Sequence, residues 1–207
     1  MDSDKPPKQP FWSKRRPQVL KNDWLAVALF VAGVVALYFL MSLFIIRSYV
    51  VEGQSMANTL QNGDRLLINK LPRTLARITG NSYIPRRGDI VIFNQSGLFG
   101  GSNSQKQLVK RVVGLPGERV VVKNGRLNIY SQDYPGGFEP DKTGLYSIAD
   151  ATTPGDVDIT LNAGEIFVCG DNRNNSEDSR YFGPLSAEQI VGKLTLRFLP
   201  LNKAQRF

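Results

Sequence analysis

From Trp24 to Ile46 the sequence runs for 23 residues without a charge, WLAVALFVAGVVALYFLMSLFII. At about 1.5 Å per residue a helix of that length measures about 34 Å, enough to cross a hydrocarbon core of roughly 30 Å. It is too long for the apolar region of a cleaved leader, and no small-x-small cleavage site follows it. The run is read as a single transmembrane anchor, and it dictates the layout of everything else. Residues 1–23 are polar and proline-bearing, with Lys5, Lys8, Lys14, Arg15, Arg16 and Lys21 outnumbering Asp2, Asp4 and Asp23. Basic residues ahead of a span stay in the cytosol. The tail at 1–23 is therefore expected there, and residues 47–207 on the extracytosolic face of a plasma (inner) or thylakoid-like membrane. The chain resumes at Arg47 as a strand with no linker, so the folded part works close to the bilayer surface.

About 160 residues remain after the anchor, enough for one domain with its own core. Twelve prolines and nineteen glycines imply many turns and a β-rich fold. Strand-like runs occupy Arg47–Glu52, Arg65–Lys70, Ile90–Phe93, Gln107–Val113, Asp158–Leu161, Glu165–Cys169 and Gly192–Leu199. Asn124-Gly125 turns a hairpin between Arg119–Val122 and Arg126–Tyr130. Residues 71–85 are expected as a loop with one helical turn, 131–158 as an insertion or flap, and 186–191 as a short helix. The Gly/Ser/Asn-rich stretch 94–106 is expected to be mobile, with Leu98-Phe99 as an apolar tip that suits either lipid or an ordinary loop anchor.

The absence of histidine limits the chemistry. It removes the Ser-His-Asp triad, the Cys-His dyad and nearly every zinc site. The single cysteine, Cys169, cannot form an internal disulfide. A net charge of +8 suits anionic lipid better than nucleic acid, because no aromatic-studded basic patch accompanies it. Asp171 and Asp178 lie in the loop 170–180 with Arg173 and Arg180, which hold carboxylates ionised. A calcium site built there lacks the spacing and closing glutamate of a known loop, so no metal or other cofactor is expected. That polar loop reads equally as a solvated loop or as a salt-bridged scaffold beside a site. What remains for a hydrolase is a hydroxyl nucleophile with a neutral lysine base.

Lys110 is the lysine in question. Leu108, Lys110 and Val112 share one face of their strand, Val109, Arg111 and Val113 the other. An ordinary lysine is only about 0.1% neutral near pH 7.5, and burial lowering its pKa by about 2–3 units would make it a usable base. Two readings fit: a strand lysine snorkelling to solvent, or a buried base.

Four ordered blocks behind the anchor resemble the bacterial type I signal peptidases. Gly53-Gln-Ser-Met56 with Thr59-Leu60 resembles the nucleophile block, and Gly63-Asp64 the start of the next. Arg87-Gly-Asp-Ile-Val-Ile-Phe93 and Lys110-Arg-Val-Val-Gly-Leu-Pro-Gly-Glu118 resemble the third, and Gly170-Asp-Asn-Arg-Asn-Asn-Ser-Glu-Asp-Ser-Arg180 with Gly183 the last. The resemblance implies a mostly β protein: a single transmembrane helix, then an antiparallel β catalytic domain with a smaller inserted β region near 123–164. It implies Ser55 as nucleophile, Lys110 as general base and Ser176 as the residue that hydrogen-bonds and orients the lysine amine. Asp171 and Asp178 would pair with arginines, Arg111 and Arg180, to fix the loop. It implies signal peptides of exported preproteins as substrates, bound as an extended strand beside 48–52 and 107–110. Tyr49, Val51, Met56, Leu60, Leu66, Ile92, Leu108 and Val109 are candidates for that wall, or equally for ordinary core. Three positions vary from the family pattern: Asn58 stands in place of proline, Asn174 in place of aspartate, and Gly53 where some members carry an oxyanion-binding serine. A catalytically silent, membrane-tethered binding domain would fit the same anchor if Lys110 were exposed and charged. A self-cleaving Ser-Lys repressor would lack the anchor.

Overall fold

The computed structural model describes residues 23–96, 105–148 and 152–207. Helix α1 (Asp23–Phe44) carries the apolar run, with a mean hydropathy of 2.5 over Asp23–Ser42. Its length and composition suit a bilayer, because a helix satisfies its own backbone and this one is apolar all round. It ends slightly earlier than the charge-free run: Ile45 is a turn and Ile46 already belongs to a strand. Residues up to Phe39 and residues from Leu40 form separate units.

The second unit is built on antiparallel strands: β1 (Ile46–Val50), β2 (Arg65–Asn69), β3 (Ile90–Ser96), β4 (Gln105–Gly114), β5 (Arg119–Lys123) and β6 (Arg126–Tyr130). They continue with β7 (Val157–Thr160), β8 (Glu165–Cys169), β9 (Leu185–Ser186), β10 (Ile190–Leu199) and β11 (Gln205–Arg206). The larger sheet runs β1-β2-β10-β3-β4-β8-β9 with β11 paired to β10, and a smaller sheet runs β6-β5-β7. The fold is mostly antiparallel β, as the resemblance implied.

Alternation along the central strands sorts their side chains into separate cores. On β3, Ile90 and Ile92 enter one core while Val91 and Phe93 enter a second. On β4, Val109 packs against the first core, Leu108 and Val112 belong with the second, and Val113 enters a third. Covering both faces is why these strands read as continuous apolar runs, each fully buried Val or Ile contributing about 1.5–3 kcal/mol. The third core gathers Val120, Val122, Leu127 and Ile129 of the small sheet around Phe167 of β8. At the β5–β6 turn Asn124 and Gly125 have φ of 51° and 75°, the two left-handed positions of a type I′ turn.

Three segments differ from expectation. Residues 71–78 form a full helix, α2 (Leu71–Ile78), opened by the Asn69 Oδ1 acceptor for Leu71 N–H (2.9 Å) and by Pro72 in its first turn. Residues 186–191 hold a 3-10 turn at Ala187–Gln189 with a Ser186/Gln189 capping box, and Ile190 then starts β10. The ends of 94–106 extend the β3–β4 ladder, with Asn94 opposite Gln107 and Ser96 opposite Gln105. The Leu98-Phe99 tip lies outside the described residues.

Candidate active site

Lys110 lies mid-way along β4, opposite Val91 of β3, and only 3% of it is exposed. Its amine donates to Ser55 Oγ at 2.6 Å. Burial drives the lysine pKa down from 10.5 to about 8, against an upward pull led by Asp178. At about 8, roughly a quarter of the molecules carry a neutral lysine at pH 7.5, against about 0.1% for an ordinary one. The snorkelling reading therefore fails: the side chain is buried rather than turned out to bulk solvent.

Ser55 is held by its backbone. It sits in a tight turn in which Ala57 N–H donates to Gln54 O (3.0 Å) and Leu60 N–H to Met56 O (2.8 Å). From the facing loop Asn172 donates twice, its N–H to Ser55 O at 3.0 Å and its Nδ2 to Gln54 O at 3.1 Å. Thr59 Oγ1 donates to Asp171 Oδ2 at 2.5 Å, and Gly53 N–H to Asn62 Oδ1 at 3.0 Å. Gly170 makes the close approach possible, because a Cβ there would collide with Ser176 and with the Ser55 carbonyl. Asn58 has φ 86°. Asparagine tolerates that left-handed conformation, whereas proline is confined near φ about −65°. The departure at Asn58 thus goes with a different local backbone. Among the described residues, the Ser55 N–H has no protein acceptor.

The loop 170–180 is a scaffold. Asp171 and Asp178 are fully buried and Arg173 is 1% exposed. Arg111 grips Asp171 with two bonds, Nε to Oδ1 at 2.8 Å and a second nitrogen to Oδ2 at 2.6 Å. Arg180 grips Asp178 in the same way, at 2.8 Å through each nitrogen. Such forked pairs fix geometry as well as charge. Arg173 turns away from both and holds Asp141 at 2.5 and 2.7 Å while donating to Gly170 O at 3.0 Å. Tyr146 donates to the same Asp141 at 2.8 Å, and its ring lies 4.7 Å beneath the Arg111 guanidinium. Thr153 Oγ1 accepts from the same Arg173 guanidinium at 2.7 Å. Asp141, Tyr146, Thr153 and Asn172 are the participants that sequence reasoning missed. The first three fall in 131–158, whose weak periodicity made it look like a flap. Ser176 also differs from expectation: its hydroxyl donates to Asp178 Oδ2 at 2.6 Å rather than to the lysine amine. The carboxylate, with stronger acceptor oxygens, takes that proton.

Ser55 and Lys110 open onto a cleft of about 800 Å³. Of the eight wall candidates, Tyr49, Val51, Leu66, Ile92, Leu108 and Val109 line it. Met56 and Leu60, 1% and 0% exposed, are instead core residues behind the nucleophile turn. The cleft runs between two strand edges. Among the described residues, β1 is the outer strand of its sheet, and β4 pairs with β3 over its first part while β8 joins at Arg111. Among the described residues, no three acidic or cysteine side chains gather as metal ligands.

A hydroxyl bonded to a desolvated amine at the side of a cleft is the equipment of a serine-type peptidase. The family model for signal peptidase, peptidase S26, matches residues 22–199. Signal peptidase I of Bacillus caldolyticus is 37% identical over 172 residues, covering 78% of this chain and 84% of that protein. Signal peptidase IB of Staphylococcus aureus strain Mu50 is 31% identical over 196 residues, covering 89% and 94%. A crystal structure of a signal peptidase I from Enterococcus faecalis V583 aligns with 28% identity and a TM-score of 0.39, over 54% of this chain and 97% of that one. The chain belongs to the signal peptidase family, peptidase S26. It is accordingly a serine endopeptidase, in a family anchored to the membrane.

Proposed function

We propose that this chain removes signal peptides from exported preproteins with Ser55 as nucleophile and Lys110 as general base. The observation that carries the assignment is the 2.6 Å contact between Ser55 Oγ and a lysine amine buried to 3% exposure. Neutral Lys110 takes the hydroxyl proton as Ser55 Oγ attacks the scissile carbonyl carbon. The ammonium then protonates the leaving amine, which departs as the mature N-terminus. Lys110, neutral again, deprotonates a water that hydrolyses the acyl-serine ester. The Ser55 N–H, free of a protein acceptor, is the donor available to the oxyanion. Gly53 supplies no side chain, and its N–H is committed to Asn62.

The substrate lies extended between β1 and β4, exchanging main-chain bonds with both edges. Alternate side chains face Tyr49, Val51, Leu66, Ile92, Leu108 and Val109, a wall that accepts alanine and excludes larger residues by overlap. The anchor at 24–46 holds the peptidase part, 47–207, on the extracytosolic face, with the basic tail cytosolic. The domain's basic surface meets the anionic leaflet there. Within 47–207 the insertion near 123–164 contains β6 and β7, two of the three strands of the small sheet.

The test is cleavage of a preprotein with an Ala-x-Ala signal, comparing wild type with Lys110→Met in detergent. Methionine keeps most of the stem and removes the amine. Cutting at the signal junction by wild type and a loss of at least about 1,000-fold in the variant is expected. Cutting by both would discard the lysine as base. Cutting by neither, in folded protein, would replace the peptidase with a tethered binding domain.

A further inference from the structure

Helix α2 is turned inside out for a helix packed on a soluble protein. Leu71, Leu75 and Ile78 recur at the spacing of one face, and they are 37%, 52% and 75% exposed. No residue of α2 is buried. A surface helix ordinarily lays such a stripe on the core and turns its charges outward. Here Arg73, on the opposite face, reaches back to donate to Glu188 O at 3.3 Å.

The surroundings are cationic. α2 contains Arg73 and Arg77 and no acidic residue. Both arginines line a cavity of about 440 Å³ with Tyr83 and Glu188. Lys70, at the start of the helix, has its pKa lowered by burial and then by the fields of Arg47 and Arg73, so these cations crowd one place.

The location is equally specific. Lys70 N–H donates to Ile45 O at 2.7 Å, and Ile46 pairs with Asn69. α2 therefore starts beside the residue that directly follows the transmembrane helix. An amphipathic helix with an apolar stripe on one face and cations on the other, one hydrogen bond from the end of a membrane span, matches the chemistry of a lipid–water boundary.

Resting on the membrane-surface reading above, we propose that α2 is an in-plane membrane helix. Leu71, Leu75 and Ile78 enter the acyl boundary, while Arg73 and Arg77 engage anionic lipid phosphate. It is a second attachment of the peptidase part, beside the anchor.

The full chain, reconstituted in vesicles of phosphatidylcholine and phosphatidylglycerol, provides the test. Nitroxides are attached to Leu75→Cys, Ile78→Cys and, as reference, Tyr134→Cys, since Cys169 is buried. Collisions with oxygen exceeding those with a water-soluble nickel chelate several-fold at 75 and 78, and the reverse at 134, are expected. Chelate access at 78 equal to that at 134 would overturn the proposal. Shielding of 78 from both reagents would overturn it too, by placing protein over the stripe. In the same vesicles Leu75→Gln/Ile78→Gln should slow cleavage of a membrane-inserted preprotein several-fold and leave cleavage of a short soluble peptide unchanged. Equal loss on both substrates would count against lipid docking. Failure of wild type to cut either would strike the peptidase reading instead and leave the collision result standing.

Discussion

Lys110 and Arg111 are consecutive residues of β4, 3% and 6% exposed, and the protein treats their charges in opposite ways. Arg111 has a buried carboxylate in a forked pair, a carbonyl acceptor on Gly88 at 2.7 Å and an aromatic ring beneath it. Lys110 has a neutral hydroxyl and, among the described residues, no ion pair. One face of the strand compensates its cation completely; the other leaves its cation exposed to the cost of burial, and the lysine pKa falls to about 8. The contrast teaches where the reactivity comes from. A framework of satisfied charges is rigid enough to hold one unsatisfied amine against a serine.

The largest effect should come from breaking the satisfied side. Arg111→Met leaves Asp171 buried with its forked partner gone, and removal of one member of such a pair costs about 3–5 kcal/mol. Thermal unfolding of the full chain in detergent, followed by circular dichroism, measures it. The double change Arg111→Met/Asp171→Asn should cost clearly less than the single one, since no orphaned carboxylate remains. A single-variant loss below about 1 kcal/mol would mean that the two faces are not treated differently after all.

Breaking the unsatisfied side should do the reverse. The folded-state pKa of Lys110 lies below its ordinary value, about 8 against 10.5. Between those values the unfolded chain binds the extra proton, so wild-type stability rises with pH across that window. The penalty is fully present below about pH 8 and is gone above about 10.5. Lys110→Met should therefore be more stable than wild type by about 3 kcal/mol near pH 7, the free-energy equivalent of about 2.5 pKa units. The gap should close between about pH 8 and 10.5. An inactive variant that is also less stable at pH 7 would remove the claim that the amine is held at a cost.

Much of this was legible in the sequence, and the reasons differ by region. β3 and β4 announce themselves because apolar residues fill both faces, and the Asn124-Gly125 turn because few other residues adopt two left-handed positions in succession. Lys110 stood out as a charge inside such a run. The partners of the framework were harder. Asp171 and Asp178 were visible as acids among arginines, yet nothing local distinguishes a loop whose charges are matched by distant residues from one matched by water. Arg173 finds Asp141 across 32 positions in the chain, and Thr59 finds Asp171 across 112. Those pairings depend on how the strands stack, not on spacing. Ser176 could not be placed for a similar reason: whether its proton goes to an amine or to a carboxylate is a contest between two neighbours that only the folded loop presents. α2 was expected as one helical turn within a loop; proline in the first turn, Pro72, does not oppose the longer helix.

The smallest effect tests whether the cleft tolerates unsatisfied groups more generally. Tyr49, which lines the cleft, has a hydroxyl that is buried and, among the described residues, has no hydrogen-bond partner. A buried polar group in that state costs about 1–3 kcal/mol, and removing it leaves the ring's packing against the first core intact. Tyr49→Phe should therefore raise stability by about 1 kcal/mol, seen as an upward shift in the unfolding midpoint, with KM for a preprotein little changed. The two buried groups would then separate cleanly: one, the lysine amine, indispensable because its lost hydration leaves part of it deprotonated at working pH; the other, the phenol, dispensable because it touches no reacting atom. If the phenylalanine variant were instead less stable and bound substrate several-fold more weakly, the hydroxyl would have a partner in the working enzyme. The cleft's polar groups would then have to be counted with the substrate present.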